Sequence, residues 1–193
     1  KTVLGLQFLT SGDGDALCIN FEESTAAIER NAASVGIDTS DVTFLDLSPG
    51  SEQFSGDTYD VFAPEEVEGE SVIERIRTTV EDGDYSRVFV DPLTQLQYLT
   101  PDAYRFRKET GALFSFLTAQ GATVLFSAQA GTDGVSDLEF LADGGVRLTA
   151  DEDGRHLSVV KFRGSGFERG RHAFRITAEG LSVFPKLRPE DHG

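Results

Sequence analysis

The chain has 193 residues, 39% of them hydrophobic and 26% charged, which is the composition of a soluble globular protein with one core and excludes a disordered chain. Asp and Glu number 33 against 17 Lys and Arg, and the formal net charge of −16 argues against DNA binding through a basic surface. No apolar run is long enough to span a membrane and the first residues do not have the pattern of a signal peptide, so we expect a cytoplasmic protein without a membrane anchor.

The acidic residues concentrate in short loop sequences, namely DGD at 13–15, EDGD at 81–84 and DEDG at 151–154. This distribution predicts a solvated acidic coat of the kind suited to a very salty cytoplasm, and a salt-loving archaeal source would fit it. The alternative is a surface that binds cations.

Alternating strands and helices are predicted along the first two thirds of the chain. The opening KTVLGLQFL indicates a helix directly after Lys1-Thr2. Four short apolar runs then predict strands that are buried on both faces: Ala16–Phe21, Val42–Leu47, Arg87–Val90 and Ala122–Ser127. Between them we predict a helix over Ser24–Val35, a helix that begins at the capping box Ser71-x-x-Glu74, and a helix with Thr100 as N-cap and Pro101 as its first residue. This alternation predicts an α/β fold with a largely parallel sheet flanked by helices.

The pattern changes after residue 140. GGVRLTADEDGRHLSVVKF predicts two strands joined by an acidic Asp-Gly turn, and HAFRITAEGLSVF predicts a second hairpin that closes at Glu179-Gly180. We therefore predict one domain over residues 1–193, with a core at 1–140, a C-terminal β-hairpin extension at 141–186 and a tail at 187–193.

Polar residues follow three of the predicted strands. Glu22-Glu23, Asp91 and Gln129 come at or just after the ends of apolar runs, and ligands of parallel sheets bind beyond the carboxyl ends of the strands. A buried acid at such a place is costly unless it meets a metal ion, a base or water, so a cation site is one interpretation. The other is that Glu22-Glu23, just before Ser24, complement the dipole of the following helix.

Lys1-Thr2 and Asp91 together favour a phosphate site. Lys-Thr matches the end of G-x-x-x-x-G-K-[ST], and four apolar residues before Asp91 match the Walker B pattern. Under this hypothesis Lys1 reaches the β- and γ-phosphates, Thr2 places its hydroxyl on Mg²⁺, and Asp91 holds Mg²⁺ through its water shell. A glutamate beyond an adjacent strand could then orient and deprotonate the attacking water.

The chain resembles the KaiC-like branch of the RecA-type ATPases over almost all of its length, in the stretches KTVLGLQFL, INFEES, RVFVDPLT, QGATVLFSAQ, KFRGSGFERG, HAFRIT and GLSVFP. The resemblance implies a RecA-like domain that binds ATP and Mg²⁺ between the subunits of a ring, commonly a hexamer. It implies that Lys1, Thr2, Asp91 and Gln129 bind the cofactor, and that Thr2 and Asp91 serve the metal. Glu22 would be the base with Glu23 as its support, and Lys161 and Arg163 would reach the nucleotide of the neighbouring subunit. Without the family pattern, the favoured interpretation of Lys161 and Arg163 is a strand face paired with surface acids.

We therefore expect a regulatory or signalling ATPase that binds and hydrolyses ATP as a homo-oligomeric ring and works with signalling partner proteins. The alternatives are a non-catalytic assembly module that has lost its nucleotide and, more weakly, a relative of DNA recombinases, which the acidic loops disfavour. No glycine-rich loop precedes Lys1. Because backbone N–H groups of that loop do most of the phosphate binding, we expect the sequence to be a fragment that begins inside the loop, with the strand before it missing, and expect hydrolysis if the loop exists upstream.

Overall fold

The computed structural model describes residues 1–49, 65–100, 102–129 and 135–186. The predicted tail at 187–193 and Pro101 lie outside the described residues. None of the helices in the described ranges is both long and apolar enough to cross a membrane.

A four-stranded parallel sheet forms the centre of the core. Its strands are β1 (Asp15–Asn20), β2 (Val42–Asp46), β3 (Tyr85–Asp91) and β4 (Thr123–Phe126), in the order β2-β1-β3-β4, and every neighbouring pair is parallel. The last five of the six residues of β1 are buried, as expected for a central strand that is covered on both faces. The predicted α/β fold with a parallel sheet is confirmed.

Six helices accompany the strands in the described residues: α1 (Thr2–Thr10), α2 (Thr25–Ser34), α3 (Glu65–Glu81), α4 (Gln95–Leu99), α5 (Ala103–Ala119) and α6 (Val135–Leu141). Alternate residues of the strands face different helices. Leu17, Ile19 and Val88 belong to the cluster that α3 and α5 cover, whereas Ala16, Cys18 and Phe89 pack with residues of α1 and α2. The core is therefore a sheet between two layers of helices.

Two predicted helix starts are wrong. Ser71 lies inside α3, which already begins at Glu65, because the acidic helix formers before it extend the helix upstream. Thr100 is the C-cap of α4, and the N-cap of α5 is Asp102, whose carboxylate accepts a hydrogen bond from Arg105 N over 2.6 Å. Aspartate caps at least as well as threonine, and its charge favours the positive end of the helix.

Helix α1 lies unusually close to β3. A Cβ atom on Gly5 would be 2.1 Å from ring carbons of Phe89, so only glycine allows this approach. At the other end of the helix, the Arg87 guanidinium donates to four backbone carbonyl oxygens, those of Leu9, Gly12, Asp13 and Gly14. Because Arg87 near the start of β3 holds the end of α1, the start of α1 lies beside the end of β3.

The two predicted hairpins are confirmed, and they join into one antiparallel sheet. Its strands β5 (Gly144–Asp151), β6 (Gly154–Phe162), β7 (His172–Thr177) and β8 (Gly180–Phe184) follow one another in sequence order. Gln7 of α1 fastens this sheet to the core, since its Nε2 donates to Leu181 O over 3.1 Å and its Oε1 accepts from Leu181 N over 2.8 Å.

Candidate functional site

A cleft of about 150 Å³ opens at the carboxyl end of the parallel sheet. Six of the eight residues predicted for the site line it, which are Lys1, Thr2, Glu22, Glu23, Asp91 and Gln129. The remaining lining residues are Asn20, Ile28, Pro92 and Ser127. Residues that are as much as 128 positions apart in the sequence therefore share one cleft, because Lys1 and Thr2 stand at the start of α1, beside the end of β3, and the others lie at or beyond the carboxyl ends of neighbouring strands.

Both carboxylate oxygens of Asp91 accept hydrogen bonds from hydroxyl groups. Thr2 Oγ1 donates to Oδ2 over 2.6 Å, and Ser127 Oγ donates to Oδ1. Asp91 thus lies between the start of α1 and the end of β4, half-buried at the end of its own strand. Ser127 was not predicted as a site residue, although it directly follows an apolar strand, which is the signal that singled out the acids.

Lys1, which directly precedes Thr2, contacts the residue that directly follows Ser127. Its Nζ donates to the carbonyl oxygen of Ala128 over 3.0 Å, in the segment that follows β4. The cleft is therefore lined by the ammonium group of Lys1 and by the Asp91 carboxylate that the adjacent Thr2 contacts, which is a suitable arrangement for a phosphate chain with a divalent cation.

The two glutamates after β1 are exposed, and each is held by an amide. Gln95 Nε2 donates to Glu22 Oε1 over 2.8 Å, and Asn31 Nδ2 donates to Glu23 Oε2 over 3.1 Å. The backbone of Glu23 is also fixed, since its carbonyl oxygen accepts from Asn20 Nδ2 over 2.7 Å.

Asp46, which the sequence did not single out, provides the hydrogen bonds at the start of α2. Its Oδ2 accepts from Thr25 N over 2.8 Å, and its Oδ1 accepts from Ser48 Oγ over 2.6 Å. Burial alone would raise the pKa of this carboxyl, but the hydrogen bonds from Ser48 and Thr25 outweigh burial and hold the pKa below its ordinary value. The dipole role proposed for Glu22-Glu23 therefore has a closer candidate in Asp46.

Lys161 and Arg163 do not line this cleft. Lys161 Nζ donates to Glu139 O over 2.6 Å and to Ala142 O, at the end of α6. Arg163 pairs with Asp143 over 3.2 Å and donates to Phe140 O. The interpretation as a residue paired with a surface acid therefore applies to Arg163, whereas Lys161 contacts backbone carbonyl oxygens. A role of the two residues at the nucleotide of a neighbouring subunit stays a prediction.

The donors of the cleft fit a magnesium ion that arrives with a nucleotide. In the described part of the chain, no group of three or more His, Cys, Asp and Glu side chains is placed to hold a metal ion. The cleft instead offers the Asp91 carboxylate and the Thr2 hydroxyl, two hard oxygen donors held 2.6 Å apart. Mg²⁺ characteristically takes one or two such protein ligands and completes its shell with phosphate oxygens and water.

A family model described as "ATPase: KaiC" matches residues 1–188 of the chain. The chain belongs to the KaiC ATPase family. This confirms the resemblance drawn from the motifs and is consistent with the RecA-type arrangement of a parallel sheet between helices.

Several curated relatives are circadian clock oscillator proteins named KaiC. The protein of Prochlorococcus marinus subsp. pastoris is 32% identical over 205 residues, covering 95% of this chain and 38% of the relative. That of Synechococcus elongatus is 29% identical over 209 residues, covering 96% of this chain and 38% of the relative. That of Parathermosynechococcus lividus is 28% identical over 206 residues, covering 96% of this chain and 36% of the relative. The KaiC-family chain thus spans less than two fifths of the length of these relatives.

Proposed function

We propose that this KaiC-family domain binds ATP with Mg²⁺ in the cleft at the end of the parallel sheet and hydrolyses it. The observation that carries the proposal is the hydrogen bond of 2.6 Å between Thr2 and Asp91, in a cleft that Lys1 and Glu22 also line. These are the side chains that the Walker-type arrangement requires for phosphate, metal and water.

Each residue has a separate task in this proposal. Lys1 binds the β- and γ-phosphates, and its ammonium group gives up its hydrogen bond to the Ala128 carbonyl oxygen to do so. Thr2 and Asp91 hold the magnesium ion, Asp91 through water, and Ser127 keeps the Asp91 carboxylate oriented. The bound ion supplies neutralisation of the charge that develops on the phosphates. Glu22 accepts the proton of the attacking water, with Gln95 holding its carboxylate, while Glu23 supports it and Gln129 contacts the nucleotide.

The test is ATP binding and hydrolysis by the full-length protein, wild type beside Glu22→Gln, at several KCl concentrations. High salt is included because a formal net charge of −16 makes the surface self-repulsive when it is unscreened. We expect Glu22→Gln to bind ATP normally and to lose about 10²- to 10⁴-fold in turnover, as removal of a general base does. Glu29→Gln, an exposed glutamate of α2 outside the cleft, is the matched control. Unchanged turnover in Glu22→Gln would remove Glu22 as the base.

We further propose a homo-oligomeric ring, of six subunits by family resemblance, in which Lys161 and Arg163 act on the neighbour's nucleotide. Their position outside the cleft of their own chain is compatible with this role. To reach the neighbour's nucleotide, both side chains would give up their hydrogen bonds to carbonyl oxygens of α6. A mixing experiment tests it. Glu22→Gln and Lys161→Ala/Arg163→Ala subunits, each inactive alone, should regain part of the activity when mixed, because some interfaces then carry both intact halves. Full activity of the Lys161→Ala/Arg163→Ala protein alone would exclude the trans-acting role.

A non-catalytic assembly module is the second candidate. It is favoured by the engagement of both Lys161 and Arg163 within their own chain, where they support the end of α6. Such a protein would form the same oligomer with and without ATP and would show no turnover at any salt concentration. A regulatory or signalling role with protein partners is proposed from the relatives' name, circadian clock oscillator protein.

A further inference from the structure

Asn20 has a buried oxygen with nothing to bind. In the described part of the chain, Asn20 Oδ1 is the one buried side-chain oxygen or nitrogen without a hydrogen-bond partner, and the residue is only 1% exposed. Buried acceptors in native proteins are almost always paired, and those left unpaired tend to occur where water or a ligand binds. Asn20 is the last residue of β1 and lines the cleft.

The orientation of the Asn20 amide is determined by its other end. Nδ2 donates to Glu23 O over 2.7 Å, and a flipped amide would lose that hydrogen bond. The carbonyl end of the amide is therefore the end without a partner.

The two residues in register with Asn20 cannot supply a donor. In register, Asn20 lies between Asp46 of β2 and Asp91 of β3, so the three side chains project from the same face of the sheet. Ionised carboxylates only accept hydrogen bonds, and both of these already accept from hydroxyl groups. The ammonium group of Lys1, which also lines the cleft, donates to Ala128 O and makes no hydrogen bond to Asn20 Oδ1. An oxygen-rich position of this kind is suited to the O–H groups of an ordered water molecule.

We propose that Asn20 positions a water molecule of the magnesium–nucleotide complex, with Oδ1 accepting its hydrogen and Nδ2 holding the Glu22-Glu23 segment in place. This role depends on the proposed function of the cleft. Two sources of the water share this chemistry, the hydration shell of the ion beside Asp91 and the water that Glu22 activates.

The experiment compares wild type, Asn20→Leu and Asn20→Thr in the full-length protein. Leu is close in size and removes both polar groups, while Thr keeps an acceptor oxygen. Thr110→Val, a buried polar-to-apolar exchange in α5, controls for a general effect of a core substitution. Affinity for a non-hydrolysable ATP analogue is measured calorimetrically with Mg²⁺ and with EDTA, and hydrolysis is measured over a Mg²⁺ titration.

If the water belongs to the ion, we expect Mg²⁺ to strengthen analogue binding less in Asn20→Leu than in wild type, by up to about tenfold, which is the value of one hydrogen bond. Affinity in EDTA should be unchanged, and Asn20→Thr should recover part of the loss. If the water belongs to the ion, the Mg²⁺ concentration for half-maximal hydrolysis rises in Asn20→Leu. If it is the attacking water, kcat falls while KM and the Mg²⁺ dependence stay the same.

A crystal structure of the wild type with Mg²⁺ and the analogue provides a readout that does not depend on turnover. We expect a water within about 3.2 Å of Asn20 Oδ1. Nucleotide bound with no water there, or an Asn20→Leu protein that equals wild type in both its Mg²⁺ advantage and its kcat, overturns the role of Asn20 alone. A wild type that binds no nucleotide overturns the proposed function and the role of Asn20 with it.

Discussion

Thr2 and Asp91, 89 residues apart in sequence, are joined by a hydrogen bond of 2.6 Å from the threonine hydroxyl to Oδ2 of the aspartate. The first residue of α1 is thereby fixed to the last residue of β3. Arg87 holds the far end of the same helix to the beginning of the same strand. Helix α1 and strand β3 therefore lie side by side and are joined by hydrogen bonds at both ends. The candidate metal donors lie at the end that opens into the cleft.

Removing the Thr2 hydroxyl should impair the use of Mg²⁺. We expect Thr2→Val, which keeps the shape of the side chain, to lower Mg²⁺-dependent ATP turnover by about 10²-fold or more, on the scale of removing one preorganised polar group from a catalytic site. Thr2→Ser keeps the hydroxyl and should retain most of the activity. The measurement is turnover against Mg²⁺ concentration in the full-length protein, and equal curves for Thr2→Val and wild type would contradict a metal role for Thr2.

The close approach of α1 to β3 depends on Gly5. A Cβ atom at this position would lie 2.1 Å from two ring carbons of Phe89, which is 1% exposed. We expect Gly5→Ala to lower the free energy of unfolding by about 1–3 kcal/mol, since overpacking outweighs the gain in helix propensity. Urea denaturation followed by circular dichroism measures the change.

Gly111→Ala in α5 is the matched control for Gly5→Ala. Its added Cβ atom would meet only Leu141, at an ordinary distance of 3.9 Å, so the exchange should stabilise by up to about 1 kcal/mol. The double variant Gly5→Ala/Phe89→Leu should recover part of the loss, because the two positions are coupled by direct contact. Gly5→Ala as stable as Gly111→Ala would show that the helix moves freely away from the strand.

The elements and the cleft were predictable from sequence for a physical reason. Buried parallel strands are continuous apolar runs, and their carboxyl ends share one edge of the sheet, so polar residues placed there, such as Glu22 and Asp91, meet whatever their separation in sequence. That relation needs only the order of residues along the chain and the type of sheet.

Hydrogen bonds from side chains to distant backbone groups were not predictable in this way. Gln7 contacts Leu181 from 174 residues away, and Asp46 caps α2 from a different element, whereas the sequence places Glu22-Glu23 much nearer to that helix. The same limit explains the wrong helix start at Thr100, where two good capping residues lie two positions apart and the tertiary structure uses Asp102. The local sequence pattern predicts whether a segment is a helix or a strand, whereas tertiary packing decides the residue at which that segment begins or ends.

The β7–β8 hairpin also contacts the core through Gly36. This residue has φ of +73°, and a Cβ atom on it would lie 1.8 Å from Ala178 O in the turn of the hairpin. We expect Gly36→Ala to destabilise by more than the roughly 1–2 kcal/mol of left-handed backbone strain, because it also displaces the hairpin. Hydrogen exchange should rise at the amides of β7 and β8.

Gly121→Ala is the control that separates the cost of left-handed backbone strain from the cost of the contact with the hairpin. Gly121 has φ of +89° but no atom within 4 Å of an added Cβ, so its substitution should cost the backbone strain alone and leave exchange in β7 and β8 unchanged. Equal losses of stability in Gly36→Ala and Gly121→Ala would mean that the hairpin does not rest on the core at Gly36.

The stability of the domain should depend on the ionisation of Asp46. Because hydrogen bonds from Ser48 and Thr25 hold its pKa below the ordinary value in the folded state, the unfolded chain binds its proton at a higher pH than the folded protein does. The stabilisation is therefore complete above about pH 4, where the unfolded carboxyl is ionised, and is lost as the pH falls through the folded pKa.

We expect Asp46→Asn to be less stable than wild type at pH 7, since a neutral amide accepts weaker hydrogen bonds than a carboxylate does. The difference in unfolding free energy between the two proteins should shrink below about pH 4 and vanish once Asp46 of the wild type is protonated. Urea denaturation at a series of pH values from neutral to acid measures it. Asp41→Asn, at an exposed position just before β2, is the control and should give a much smaller difference at pH 7. A difference for Asp46→Asn that stays constant into acid would show that the carboxylate charge does not stabilise the start of α2.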